Sequence, residues 1–137
     1  MKATTPSGSR KRLAKRHTDL EVYQLGYSTA QELFELSKSF PKEEMYSLTS
    51  QMRRCSRSVC SNITEAWRKR RYEAAFVSKL NDSEAEAAET QTWIQFAVGC
   101  RYLPRDRAAQ LYRKYDSILS MLVDMIAHAS NWTLKSP

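Results

Sequence analysis

Arg53, Arg57, Thr64, Arg68 and Arg71 are spaced so that, at about 100° per residue, they fall along one line of an α-helix. Arg54, Lys69 and Arg70 flank that line, and no acid interrupts its middle. Such a line offers phosphate binding, because a planar guanidinium can hold two phosphate oxygens at once. Further along the chain, Arg105, Arg107, Arg113 and Lys114 form a second basic set. Contacts of this kind are largely sequence-independent and weaken as salt rises. Tyr72 and Tyr112 lie beside basic residues and are candidates for stacking on bases.

The same arginines also have a purely structural reading. If the segments on either side of Arg71 form an antiparallel hairpin, positions whose numbers sum to about 142 face each other. Arg53 then meets Glu89 and Arg57 meets Glu86, and such pairs would use up the middle of the line. Around Arg68–Arg71 the only nearby acid is Glu73. The partner of the stripe, phosphate or carboxylate, therefore separates a nucleic-acid-binding protein from a protein adaptor with little free positive field.

Other chemistries find no support. Cys55, Cys60 and Cys100 have only His17 and His128 for company, with no zinc spacing. A five-residue step from Cys55 to Cys60 does not bring two thiols together on a helix, so reduced, buried or half-buried cysteines are expected. Asp82, Glu84, Glu86 and Glu89 lack the inward Glu-x-x-His pairs of a di-metal carboxylate bundle. No nucleophile has a plausible base, and His128 reads as a helix-end cap. Asn62 and Glu65, off both the apolar and the basic stripes, read as hydrogen-bonding groups at a helix or subunit interface. The expectation is a non-enzyme without cofactor or metal.

Charge distribution sharpens the picture. The formal net charge is +7, yet residues 1–17 hold six Lys/Arg and no acid, which leaves 16 bases against 15 acids in the remainder. Residues 1–17 read as a disordered basic tail, 18–132 as one domain and 133–137 as a short C-terminal tail. The N-terminus lacks the apolar stretch of a secretory signal, and no apolar run approaches a membrane span. A cytoplasmic protein is expected.

Four amphipathic segments must position these groups. Thr18-Asp19-Leu20-Glu21 reads as a capping box opening the first, whose face is Leu20, Tyr23, Tyr27, Ala30, Leu33, Phe34 and Ser37; Pro41 stops it. The second begins between Lys42 and Leu48, runs to about Lys69, and aligns Met45, Leu48, Met52, Cys55, Val59, Ile63 and Ala66. The third carries Phe76, Leu80, Ser83, Ala87, Thr90, Ile94 and Ala97, with Trp93 and Phe96 off the seam. The fourth opens with Pro104 at its first helical position and aligns Leu111, Tyr115, Ile118, Leu122, Met125, Ile126 and Ala129. Short connections make neighbours antiparallel, giving an all-α, up-down-up-down four-helix bundle.

Asp19-Leu20-Glu21-Val22-Tyr23, Phe40-Pro41-Lys42-Glu43-Glu44, Leu48-Thr49-Ser50-Gln51-Met52-Arg53-Arg54 and Ser61-Asn62-Ile63-Thr64-Glu65 together resemble a known family. It is that of the small four-helix bundle proteins first described from intervening sequences in bacterial large-subunit ribosomal RNA genes. The same family contains the accessory variability proteins of diversity-generating retroelements. The resemblance spans about residues 18–131. It implies an antiparallel bundle assembled as a homopentameric ring, a basic surface, no catalysis, and association with nucleic acid or a reverse transcriptase. Two positions depart from the family pattern: Cys60 stands where a proline is usual, and Ala66 where a glycine is usual. Both changes predict a straighter, longer second helix.

Overall fold

The computed structural model describes residues 14–134. Most of the expected basic tail, residues 1–13, and the last three residues lie outside that range. A 3₁₀ turn at His17–Asp19 leads into α1 (Glu21–Ser37). Then come a 3₁₀ turn at Lys42–Glu44, a π-helical turn at Met45–Thr49 and α2 (Ser50–Arg68). Three more helices follow: α3 (Glu73–Gly99), α4 (Arg105–Ala127) and the single turn α5 (Ala129–Trp132). Each of α2 to α4 packs antiparallel on the helix before it, and α4 closes the bundle against α1. No helix among the described residues is long and apolar enough to cross a membrane.

The apolar spacing translates directly into burial for α2, α3 and α4. Met52, Cys55, Val59, Ile63, Phe76, Leu80, Ala87, Ile94, Leu111, Tyr115, Ile118 and Leu122 are all buried. Met45 is not, because the π turn rotates it away from the stripe that Leu48 begins. Position 60 carries a cysteine rather than a proline, and α2 runs without interruption from Ser50 to Arg68. Ala66 is buried within it.

Leu20, Ala30, Leu33 and Ser37 are buried as the sequence suggests, but helix α1 turns its buried stripe away from Tyr23, Tyr27 and Phe34. Its buried residues are Val22, Gly26, Thr29, Ala30, Leu33 and Ser37, whereas Tyr27 is 54% exposed and Tyr23 and Phe34 are half-buried. The reason is close approach. A Cβ on Gly26 would stand 3.2 Å from Cys60 Sγ and 3.6 Å from Val59, so α1 presses its smallest residue against α2. Two bulky neighbours, Tyr23 and Tyr27, are thereby displaced to the flank.

The helix ends depart from expectation in two details. Thr18 does not cap α1: Asp19 instead accepts from the backbone N–H groups of Lys15 and Arg16, and Leu20 is the N-cap residue. Pro104 is the N-cap residue of α4 rather than its first helical residue. Arg101 closes α3 at φ 66°, with Tyr102 N–H donating to Ala97 and Arg101 N–H to Val98, the Schellman pattern that more often uses glycine. At the same end Tyr102 donates to Glu44 at 2.9 Å. That hydrogen bond, with some burial, pushes the phenol up to about 12.

Candidate nucleic-acid interface

The hairpin of α2 and α3 has the register that the sequence predicts, but it presents a different arginine to the acids. Arg54, not Arg53 or Arg57, bridges Glu86 at 3.5 Å and Glu89 at 3.1 Å. One residue is a 100° step on a helix, enough to move a side chain from one neighbour to another. Glu89 also accepts from Trp93 Nε1 at 3.2 Å, so the acid is doubly engaged on the α2–α3 face.

Arg53 and Arg57 turn the other way, towards α1. Arg53 Nε donates to Ser37 Oγ at 2.8 Å, and its guanidinium lies 4.7 Å from the centre of the Phe34 ring. The Arg57 guanidinium lies 5.3 Å from the same ring, and Lys38 Nζ lies 5.0 Å from it. Among the described residues no carboxylate approaches either arginine within 4 Å. An aromatic ring attracts a cation through its quadrupole without cancelling its charge. Phe34 therefore orders two guanidiniums while leaving their positive field outward.

The Arg68–Arg71 cluster forms the turn between α2 and α3. Arg68, Lys69 and Arg71 are exposed, and none has a carboxylate partner among the described residues. Arg70 folds back, with its guanidinium 3.6 Å from the Trp67 ring centre and Nε donating to Trp67 O. Burial and the adjacent Arg68 charge lower its pKa. The Arg70 carbonyl accepts from Leu134 N–H, and Lys15 and Arg16 lie just before α1 at this same end of the bundle.

The second basic set divides. Arg107 and Lys114 both reach Glu32 on α1, at 3.0 and 2.9 Å. Burial works to raise the Glu32 pKa, and the two hydrogen bonds outweigh it, holding the carboxyl below the ordinary glutamate range. These two cations serve the α1–α4 closure. Arg105 and Arg113 instead lie along the α3–α4 groove beside Gln95 and Tyr112. Tyr112 is half-buried, its backbone carbonyl accepting from Gln91, while Tyr72 stands 66% exposed at the N-cap of α3. The structure thus gathers Arg53 with Arg57, and Arg68 with Lys69, Arg70 and Arg71. Arg54, Arg107 and Lys114 are held by acids.

The remaining expectations concern side chains off these patches. Lys79 ties Glu65 at 2.9 Å and Asn62 at 3.5 Å to α3, the interface role expected of that pair. His128 caps the end of α4 through Asp124. Cys55 and Cys60 are buried free thiols, and burial pushes both up to about 11, far from thiolate chemistry. Cys100 is free but exposed, contrary to expectation, because it follows the last residue of α3.

Sequence reasoning missed Phe34, Tyr23 and Tyr27 as parts of this surface. Their 3/4 spacing imitates a core stripe, and the only hint against it was Gly26 at the stripe's competitor.

The family model for the 23S rRNA-intervening sequence protein matches residues 18–124. A crystal structure from Bacteroides thetaiotaomicron VPI-5482, of a protein of unknown function from the S23 ribosomal protein family, is similar with a TM-score of 0.70. It is 25% identical in sequence, over 77% of this chain and 95% of that one. No curated protein matches this chain.

Proposed function

This chain belongs to the 23S rRNA-intervening sequence protein family, and from that membership we propose that it binds RNA, without catalysis, through its α1–α2 face and the adjoining α2–α3 turn. One observation carries the proposal: Arg53 and Arg57 rest on Phe34 rather than on acids. Their field is free to meet phosphates, and their side chains are already ordered, which reduces the entropy lost on binding. The uncancelled Arg68, Lys69 and Arg71 extend the positive surface to the end of the bundle at which Lys15 and Arg16 lie.

Labelled hairpin RNA followed by fluorescence anisotropy across a salt series tests this reading. Binding is expected at low salt, falling steeply as salt rises, and persisting in a chain that lacks residues 1–13. Absence of binding at low salt to any RNA or DNA rejects it.

A second reading, in which the protein is an adaptor, is favoured by one surface feature. Phe96 is 56% exposed and packs 5.8 Å from the half-buried Trp93 on the outer side of α3. We propose that this pair contributes to self-association, with a ring of five copies as the expected assembly. Such a ring presents docking surface to a protein such as a reverse transcriptase. Light scattering on the Trp93 and Phe96 variants measures that role separately from RNA binding.

A further inference from the structure

The groove between α1 and α2 contains more than cations. Tyr23 and Tyr27 line it with rings stacked at 16° and centroids 6.3 Å apart, and the His17 ring packs on Tyr23 in a T-shaped pair at 5.0 Å. Arg57 and Gln31 stand at the groove with them, and Cys60 and Thr64 form the α2 side. Ala30 lines the α1 side beside the two tyrosines, and apart from Arg57 no side chain larger than Thr64 joins Cys60 and Ser61 on the α2 side. No carboxylate lines the groove. Arg68 follows Thr64 one helical turn further along α2.

A pre-stacked aromatic pair with its outer ring, Tyr27, exposed beside an unneutralised guanidinium matches the chemistry of an unpaired nucleotide. The base has a π-face for Tyr27, and its phosphate has a fork in Arg57. Bases in a duplex already stack on each other and offer no free face. We propose that this groove is a stacking site for unpaired nucleotides of a single strand, with Tyr27, backed by Tyr23, as the platform and Arg57 at the phosphate. The proposal rests on the RNA-binding reading above and adds the class of nucleic acid and the point of contact.

The test uses the full chain and anisotropy with three labelled probes: oligo(A) RNA, oligo(dA) DNA and a duplex RNA. Tyr27 is exposed, so Tyr27→Ala leaves the core untouched, and Tyr27→Phe keeps the ring. Tyr27→Ala is expected to weaken both single strands by about tenfold at every salt concentration. The salt slope stays the same, because stacking releases no counterions. Duplex binding stays unchanged, and Tyr27→Phe restores single-strand affinity. If Tyr27→Ala binds single strands as the wild type does, or loses duplex and single strand equally, the stacking site is overturned while RNA binding stands. The same holds if the wild type binds duplex but no single strand. If the wild type binds none of the three probes at low salt, both readings fall.

Discussion

Arg53 and Arg54 are neighbours in sequence and opposites in surroundings. Arg54 faces α3 and is held between Glu86 and Glu89. Arg53 faces α1 and is held by a hydroxyl and an aromatic ring. Both guanidiniums are positioned, but only that of Arg54 is neutralised. The same contrast recurs across α1, where Glu32 neutralises Arg107 and Lys114 on one flank while Phe34 carries Arg53 and Arg57 on the other. Carboxylate partners close the bundle, and aromatic partners leave charge for something outside it. The count of arginines does not predict a binding face; the identity of what they rest on does.

The largest expected effect breaks the aromatic-supported side. Arg53→Gln with Arg57→Gln removes two phosphate contacts and should weaken RNA binding about 30-fold at 0.1 M salt. Anisotropy measures this, and chemical denaturation should show a loss of about 1 kcal/mol, since the Ser37 hydrogen bond and the contacts on Phe34 go with the guanidiniums.

On the carboxylate side the large effect is on stability instead. Glu32→Gln should cost about 1–2 kcal/mol by chemical denaturation and leave RNA affinity unchanged or slightly higher, since Arg107 and Lys114 are released. Protonation should act like the substitution. The Glu32 carboxyl titrates below its unfolded value, so its contribution is complete above the ordinary glutamate range. It is lost as pH falls through the lower folded value, and Glu32→Gln should flatten the acid limb of a stability–pH profile.

A smaller effect is expected from the support itself. Phe34→Leu keeps both guanidiniums but removes the ring that orders them. Affinity should fall about threefold and stability by about 1 kcal/mol, while Phe34→Tyr preserves both. The smallest belongs to Arg54→Gln. Its acid partners are partly exposed, so the cost should be within about 0–1 kcal/mol, with RNA binding unchanged.

Much of the fold was legible because α2 and α4 carry apolar seams with charge on the opposite side, and α3 a narrower line of Phe76, Leu80, Ala87, Ile94 and Ala97 at the same spacing. The hairpin register was legible too, from the short turn at Arg71. What failed was angular resolution. The register placed Glu86 and Glu89 opposite the right stretch of α2, but a 100° step decides between Arg53 and Arg54. In α1, Tyr23, Tyr27 and Phe34 looked like core residues because large aromatics at helical spacing usually are. Gly26 and Thr29 took those places, since two backbones can come close only over small side chains. The Phe34 support for the arginines was hidden by the same misassigned stripe. Nothing local in the sequence states that a ring, and not an acid, will meet a guanidinium.

The most direct measurement is the salt dependence of RNA affinity in two variants read side by side, Arg53→Gln with Arg57→Gln against Arg54→Gln. If the aromatic-supported face binds phosphate, the double variant lowers the slope of log affinity against log salt by about 1.5, and Arg54→Gln leaves it unchanged. Equal slopes in wild type and double variant, or a slope lowered only by Arg54→Gln, contradict the account.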